Sequence, residues 1–153
     1  MLTLGGFLEM HIIHFSIPEY IATMILRRFQ YLSFPTAIIC LLAVTVLLCI
    51  PGTEFPVISW LDNIQFDKMV HIGLFSALTG SWCWALSGKH KSQVILKRKF
   101  IQIAILSIVY GIAMELIQHY FIPFRSFDYG DIIADGIGAA TGYFLSIRLF
   151  IKK

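Results

Sequence analysis

Charge is scarce in this sequence. Of its 153 residues only 14% are Asp, Glu, Lys or Arg, where a soluble domain averages about 25%. A small water-facing domain has much surface to cover, so the shortage argues against one. The formal net charge of +3 is too small to imply nucleic acid as a partner. Cysteine is sparse as well. Cys40, Cys49 and Cys83 lie inside apolar runs with no Cys-x-x-Cys pair, which reads as small apolar filling rather than a disulfide framework or metal knuckle. Leu48 is bulky where a lipoprotein signal before Cys49 needs a small residue, and no small-x-small cleavage site follows the first apolar run, so no removable signal is expected. There is no His-Glu-x-x-His, no Gly-x-Ser-x-Gly elbow and no phosphate-binding glycine loop. No metal and no cofactor are expected, and no motif establishes catalysis. Internal repeats and low-complexity tracts are missing too.

Apolar residues supply what is there: 58% of the chain, with a mean hydropathy of +0.78. A membrane-spanning helix takes about 20 mostly apolar residues. Four stretches qualify: Tyr31–Ile50, Phe66–Ser87, Phe100–Phe121 and Asp131–Ile151. Pro51-Gly52 stops the first, Ser87-Gly88 the second, and Pro123 follows the third. The fourth opens with Asp131 and Asp135 and carries Gly136, Gly138 and Gly142; its uncharged stretch from Ile137 to Ile147 still makes it a span, since glycine is common in membrane helices. The expected fold is an all-α bundle of four transmembrane helices over residues 31–153. Residues 1–30 allow two readings. They form an interfacial amphipathic helix broken at Pro18, or the chain starts at Met24, ahead of Arg27, Arg28 and an apolar run.

Lysine and arginine set the expected orientation. The loop between spans two and three holds Lys89, Lys91, Lys97, Arg98 and Lys99. The same side receives Arg27, Arg28, Arg148, Lys152 and Lys153, which makes ten of the twelve basic residues. That side is expected in the cytoplasm, with both termini. The other side receives Glu54, Asp62, Asp67, Asp128 and Asp131, with Lys68 and Arg125 as its basic residues.

The polar residues converge in depth. Asp67, Lys68 and His71 open span two; Asp67 and His71, four apart, share a helix face and can pair. Glu115, Gln118 and His119 lie near the end of span three, with Glu115 roughly 9 Å below Phe121. Arg125 follows, and Asp128, Asp131 and Asp135 are aligned by three- and four-residue spacing at the start of span four. Gly138 and Gly142 continue that stripe and let a neighbouring helix approach closely. An ionisable group in a membrane helix costs roughly 2.5–3.5 kcal/mol on insertion scales, so these residues face the bundle and find partners. Lys68, His71 and Arg125 are the expected partners of Glu115. Asp67 and Asp131 also suit helix N-termini, and each polar residue near the interface taken singly has an anchoring explanation. Trp60, Tyr120, Phe124, Phe127 and Tyr129 read as an outer aromatic belt, Trp82 and Trp84 as an inner one.

Asp67-Lys68-x-x-His71, then Gly111-x-x-x-Glu115-x-x-Gln118, Arg125, and Asp131-x-x-x-Asp135-x-x-Gly138, together with Pro51-Gly52, resemble the VanZ-like membrane proteins. The resemblance covers residues 35–150 or so, and the ordered set is far more specific than any one motif. It departs at Asp135, where the family pattern has asparagine. The resemblance implies a bacterial inner-membrane protein of the cell envelope; the family's namesake is associated with lowered susceptibility to the lipoglycopeptide teicoplanin. Three functions are then open. An outward-facing polar cup binds membrane lipid, a lipid-linked cell-wall precursor or a lipoglycopeptide. Alternatively, His71 and Glu115 act as base and acid on a lipid headgroup, with Lys68 or Arg125 clamping phosphate. The third, a proton-coupled carrier, is weakened by the expected lack of polar residues in the inner half of the spans. Oligomeric state is not legible.

The charge asymmetry makes a direct prediction. A reporter active only in the cytoplasm should work when fused after Lys91 or Lys153 and fail after Asn63 or Phe127. Activity at Asn63 would invert the orientation.

Overall fold

The computed structural model describes residues 19–51, 65–89 and 92–151, with backbone alone for residues 19–29. The described residues form four α-helices: α1 Glu19–Leu48, α2 Phe66–Ser87, α3 Gln93–Phe121 and α4 Tyr129–Phe150. Each is long and apolar enough to cross a membrane. The protein is an integral membrane protein that passes the bilayer several times. Residues 1–18, residues 52–64 with Glu54, Trp60 and Asp62, and Lys91, Lys152 and Lys153 lie outside the described residues, so the interfacial-helix reading does too.

The ends of the first and fourth helices shift by one or two residues from the sequence expectation, and two helix starts differ by more. Helix α1 begins at Glu19, not Tyr31, and runs through Pro35. A proline inside a helix removes one N–H, and membrane helices tolerate such a break; on either side of it the Ser33 and Thr36 hydroxyls donate to the carbonyls of Gln30 and Leu32, each at 2.7 Å. Helix α3 begins at Gln93 rather than Phe100, so Lys97, Arg98 and Lys99 stand on its exposed first turns and not in a loop. Hydropathy marks the hydrocarbon-depth segment, whereas the helix continues beyond it into the charged interface.

The bundle is patterned inside out. Ile39, Leu42, Val46, Ile105, Leu106, Val109, Ile137, Phe144 and Leu145 are exposed, while Ser33, His71, Thr79, Ser107, Glu115, Gln118, Asp131, Asp135 and Ser146 are buried. A water-facing protein could not expose that apolar surface. Lipid can accept it, and the polar groups then turn inward towards one another. Two apolar clusters fill the interior: Val44, Leu48, Phe75, Leu78 and Met114 beneath the acidic end, and Cys83, Leu96 and Phe100 toward the basic end.

Helix α2 is central. It packs on all three others, most extensively on α4, and α1 and α4 do not touch among the described residues. Small residues set the α2–α4 contact. A Cβ at Gly138 would sit 2.5 Å from the Ile72 carbonyl oxygen, and one at Gly142 2.5 Å from that of Ser76. Ala134, Ala139 and Ser146 complete the buried side of α4. The close approach expected of the glycine spacing is therefore made, and the partner is α2.

A side chain here must push backbone aside, which typically costs about 1–3 kcal/mol. Gly138→Leu and Gly142→Leu should each lower thermal stability in detergent by roughly 2 kcal/mol. Gly136→Ala, with nothing within 4 Å of its Cβ, should be tolerated. Equal stability of all three variants would refute this contact.

Candidate functional site

The start of α2, the end of α3 and the start of α4 meet at the acidic end of the bundle. Asp128 is the N-cap of α4, its carboxylate accepting from the Gly130 N–H at 2.6 Å. Lys68, from the first turn of α2, reaches across to it. The Lys68 ammonium lies 2.6 Å from Asp128 Oδ2, 3.1 Å from Asp131 Oδ1 and 3.6 Å from Asp67 Oδ2. Gly130 makes room for it, since a Cβ there would stand 2.8 Å from Lys68 Nζ. Oxygens of the three carboxylates fall within 4.8 Å of one another, a spacing that suits a cation, and the lysine ammonium is the cation they hold.

Hydrogen bonding to Lys68 and to the Gly130 N–H holds the Asp128 carboxyl below its ordinary 3.8. A carboxylate depressed in the folded state stabilises it above the ordinary value. That contribution is lost only as pH falls through the lowered one, so the Asp128–Lys68 contact persists to pH values below the ordinary carboxyl range.

One turn deeper, His71 pairs with Asp135 and not with Asp67. Its Nδ1 is 2.8 Å from Asp135 Oδ1, and its Nε2 is 3.8 Å from Asp131 Oδ2. All three side chains are buried. Asp67 shares the helix face but lies at the exposed helix start beside Lys68. Gly111 leaves the space Asp135 fills, because a Cβ on Gly111 would overlap the carboxylate. Phe75 stacks parallel to the imidazole with centroids 6.5 Å apart. The network thus descends from Asp128 through Lys68, Asp131 and His71 to Asp135.

Glu115 stands apart from the expected cation partners. It is 2% exposed, yet its Oε1 accepts from the backbone N–H of Asp128 at 2.5 Å, and it makes no ion pair with Lys68, His71 or Arg125. It pins the α3–α4 connection at the point where α4 begins. Gln118 leaves the cluster as well: its amide donates to the Leu48 carbonyl at 2.7 Å, closing the end of α1. Arg125 forms no ion pair among the described residues, and its Nε is shut from solvent with no acceptor. His119 sits among Tyr120 and Phe127, outside the ionisable chain. Gly138 and Gly142 hold α2 against α4 just below it.

Sequence reading missed the hydroxyls beneath. Thr79 donates to Ser107 at 2.9 Å, and Thr45 and Tyr110 share a bond of 2.8 Å. With Ser146 buried nearer the basic end, the inner half is not free of polar residues, contrary to expectation. The signal was present: Thr79 is eight residues on from His71, and Ser107 eight before Glu115, so each continues a helix face by steps of four.

No family model, no curated protein and no solved structure matches the chain.

Chemically, the pair can hold and move a proton. Asp135 on one imidazole nitrogen orients the ring and fixes which nitrogen carries the hydrogen. Glu115 serves as a backbone anchor. Glu115→Gln keeps an oxygen acceptor and should leave membrane abundance near wild type. Glu115→Leu orphans the buried Asp128 N–H, and loss of such a partner costs about 1–3 kcal/mol. Lys68→Met should add to either change without rescue, because the two side chains do not pair. Recovery of Glu115→Gln by Lys68→Met, measured as thermal stability, would restore the ion-pair reading.

Proposed function

We propose that this protein is a VanZ-like protein of the bacterial cell envelope. Its acidic end faces outward and binds a lipid-linked or amphipathic ligand. The observation that carries this reading is the buried His71–Asp135 pair at 2.8 Å, held in an apolar bundle under a lysine with three carboxylates. Paired ionisable groups at membrane depth are costly and mark functional sites more often than structural ones. Their gathering at one end, with hydroxyls alone along the interior beyond, supports a site served from one face of the membrane. Of the residues that answer the family pattern, Asp67, Lys68, His71 and Asp131 converge, together with Asp135, where that pattern has asparagine; Glu115, Gln118 and Arg125 stand apart from them. The exposed Tyr120, Phe124 and Tyr129 supply the interfacial belt along which an amphiphile approaches. A lipid-linked cell-wall precursor and a lipoglycopeptide antibiotic both have the required combination of apolar tail and polar head.

The second reading is a membrane enzyme acting on a lipid headgroup, and the His71–Asp135 geometry favours it specifically. A carboxylate-oriented imidazole is a general base. In that case the acid–base pair centres on His71 and Asp135, with Glu115 supporting the fold, and Lys68 is too fully engaged to clamp phosphate.

Lipid analysis of membranes with wild-type protein, with Asp135→Asn and without the protein separates the two. A binder should retain an amphiphile through purification, lose most of it in Asp135→Asn at unchanged abundance, and leave the total lipid profile alone. An enzyme should shift a headgroup species in the total profile, and Asp135→Asn should abolish the shift. Identical retained and total lipid in all three samples would overturn both.

A further inference from the structure

Among the described residues the acidic end gathers five carboxylates in Asp67, Glu115, Asp128, Asp131 and Asp135, and each has a partner elsewhere. Lys68 takes three of them, His71 takes Asp135, and Glu115 takes a backbone N–H. Arg125 stands at the same end and receives none. Among the described residues its guanidinium has no ion pair, and its Nε is buried without an acceptor.

An always-charged guanidinium with an orphaned buried nitrogen is uncommon, since buried polar atoms nearly always have a partner. The connection that carries it is well tied. The Ile122 N–H donates to the Gln118 carbonyl, the Arg125 N–H to the Ile122 carbonyl, and Glu115 holds the far end at Asp128. Phe124 adopts a left-handed backbone with φ of 61°, which bulky residues rarely do. Phe124 is 87% exposed while Arg125 beside it is half-buried. An exposed aromatic ring and an adjacent half-buried guanidinium thus stand side by side just beyond the end of α3.

We propose that Arg125 is an anion site that takes the phosphate oxygens of a membrane amphiphile, with Phe124 against its apolar part. Arginine suits this group because its planar fork matches phosphate geometry, with the two terminal nitrogens donating in parallel while Nε stays enclosed by protein. Lys68 cannot do so while three carboxylates surround it. This rests on the reading of the acidic end as an amphiphile site and names the ligand class as phosphate-bearing. It does not need the outward orientation.

The test uses full-length protein in dodecyl maltoside micelles, whose sugar headgroup carries no phosphate. Phosphatidylglycerol and free inorganic phosphate serve as separate probes. Native mass spectrometry counts the lipid retained, and NMR follows the slowly exchanging arginine Nε–H that is missing from Arg125→Lys. One charge-assisted hydrogen bond corresponds to roughly tenfold in affinity. Phosphatidylglycerol should bind the wild type, bind Arg125→Gln about tenfold more weakly, and shift the Nε–H signal. Arg98→Gln, on the exposed start of α3 at the opposite end of the bundle, should retain it. Binding of inorganic phosphate with the same signal shift would also support the site, with free phosphate as its source. Equal affinity in wild type and Arg125→Gln, or an Nε–H signal that neither probe moves, would overturn it. The NMR result on wild type decides the matter if Arg125→Gln does not accumulate. Failure here with Asp135→Asn still losing its retained amphiphile would leave the proposed function standing.

Discussion

His71, Glu115, Asp131 and Asp135 are buried at the acidic end, and the structure depends on such groups finding partners. His71 and Asp135 are the deepest of them, on helices that meet only because α4 presents glycine to α2. At Gly138 and Gly142 the two backbones are so close that a single methyl group would strike a carbonyl oxygen. That closeness lets a short aspartate side chain reach an imidazole on the neighbouring helix at 2.8 Å. Remove the approach and both groups lose their partners in a medium that offers no replacement. Packing and polar pairing are therefore one constraint.

The rest of the acidic end extends that constraint upward and sideways. Asp131, one helical turn from Asp135, links the buried pair to Lys68, whose own room comes from Gly130. Asp128 caps α4 and accepts from Lys68, so the start of that helix and the start of α2 are held by the same carboxylate. Glu115 fastens the backbone at this point from α3, and Gln118 fastens the end of α1. Every helix is thus tied at one end by a polar side chain from another. At the other end Cys83, Leu96 and Phe100 pack as an apolar cluster. That asymmetry favours a site at the acidic end over a pore through the bundle.

How much was legible follows from which interactions are local. Four spans could be read because hydropathy and length are properties of a single segment. The depth of His71, Glu115 and Asp135 could be read because helical rise is constant. The glycine stripe announced a close contact, since a missing Cβ is visible in the sequence. Partners were not visible. Asp67 looked like the mate of His71 because both lie on one face of one helix, yet the ring turns inward to Asp135 across the α2–α4 contact. Glu115 looked like the mate of a cation, but the nearest donor in the folded chain is a backbone N–H.

The sequence by itself thus determined the medium, the four spans, the charge asymmetry and the end at which polar groups collect, because each depends on composition and spacing along one helix. Only the tertiary structure decided the pairing of Lys68 with three aspartates, of His71 with Asp135, and the lack of an ion pair for Arg125 among the described residues. Those outcomes turn on which helices are neighbours and on their rotation about their axes. Both are set by the small-residue contact between α2 and α4 and by the need of each buried charge for a partner within hydrogen-bond reach.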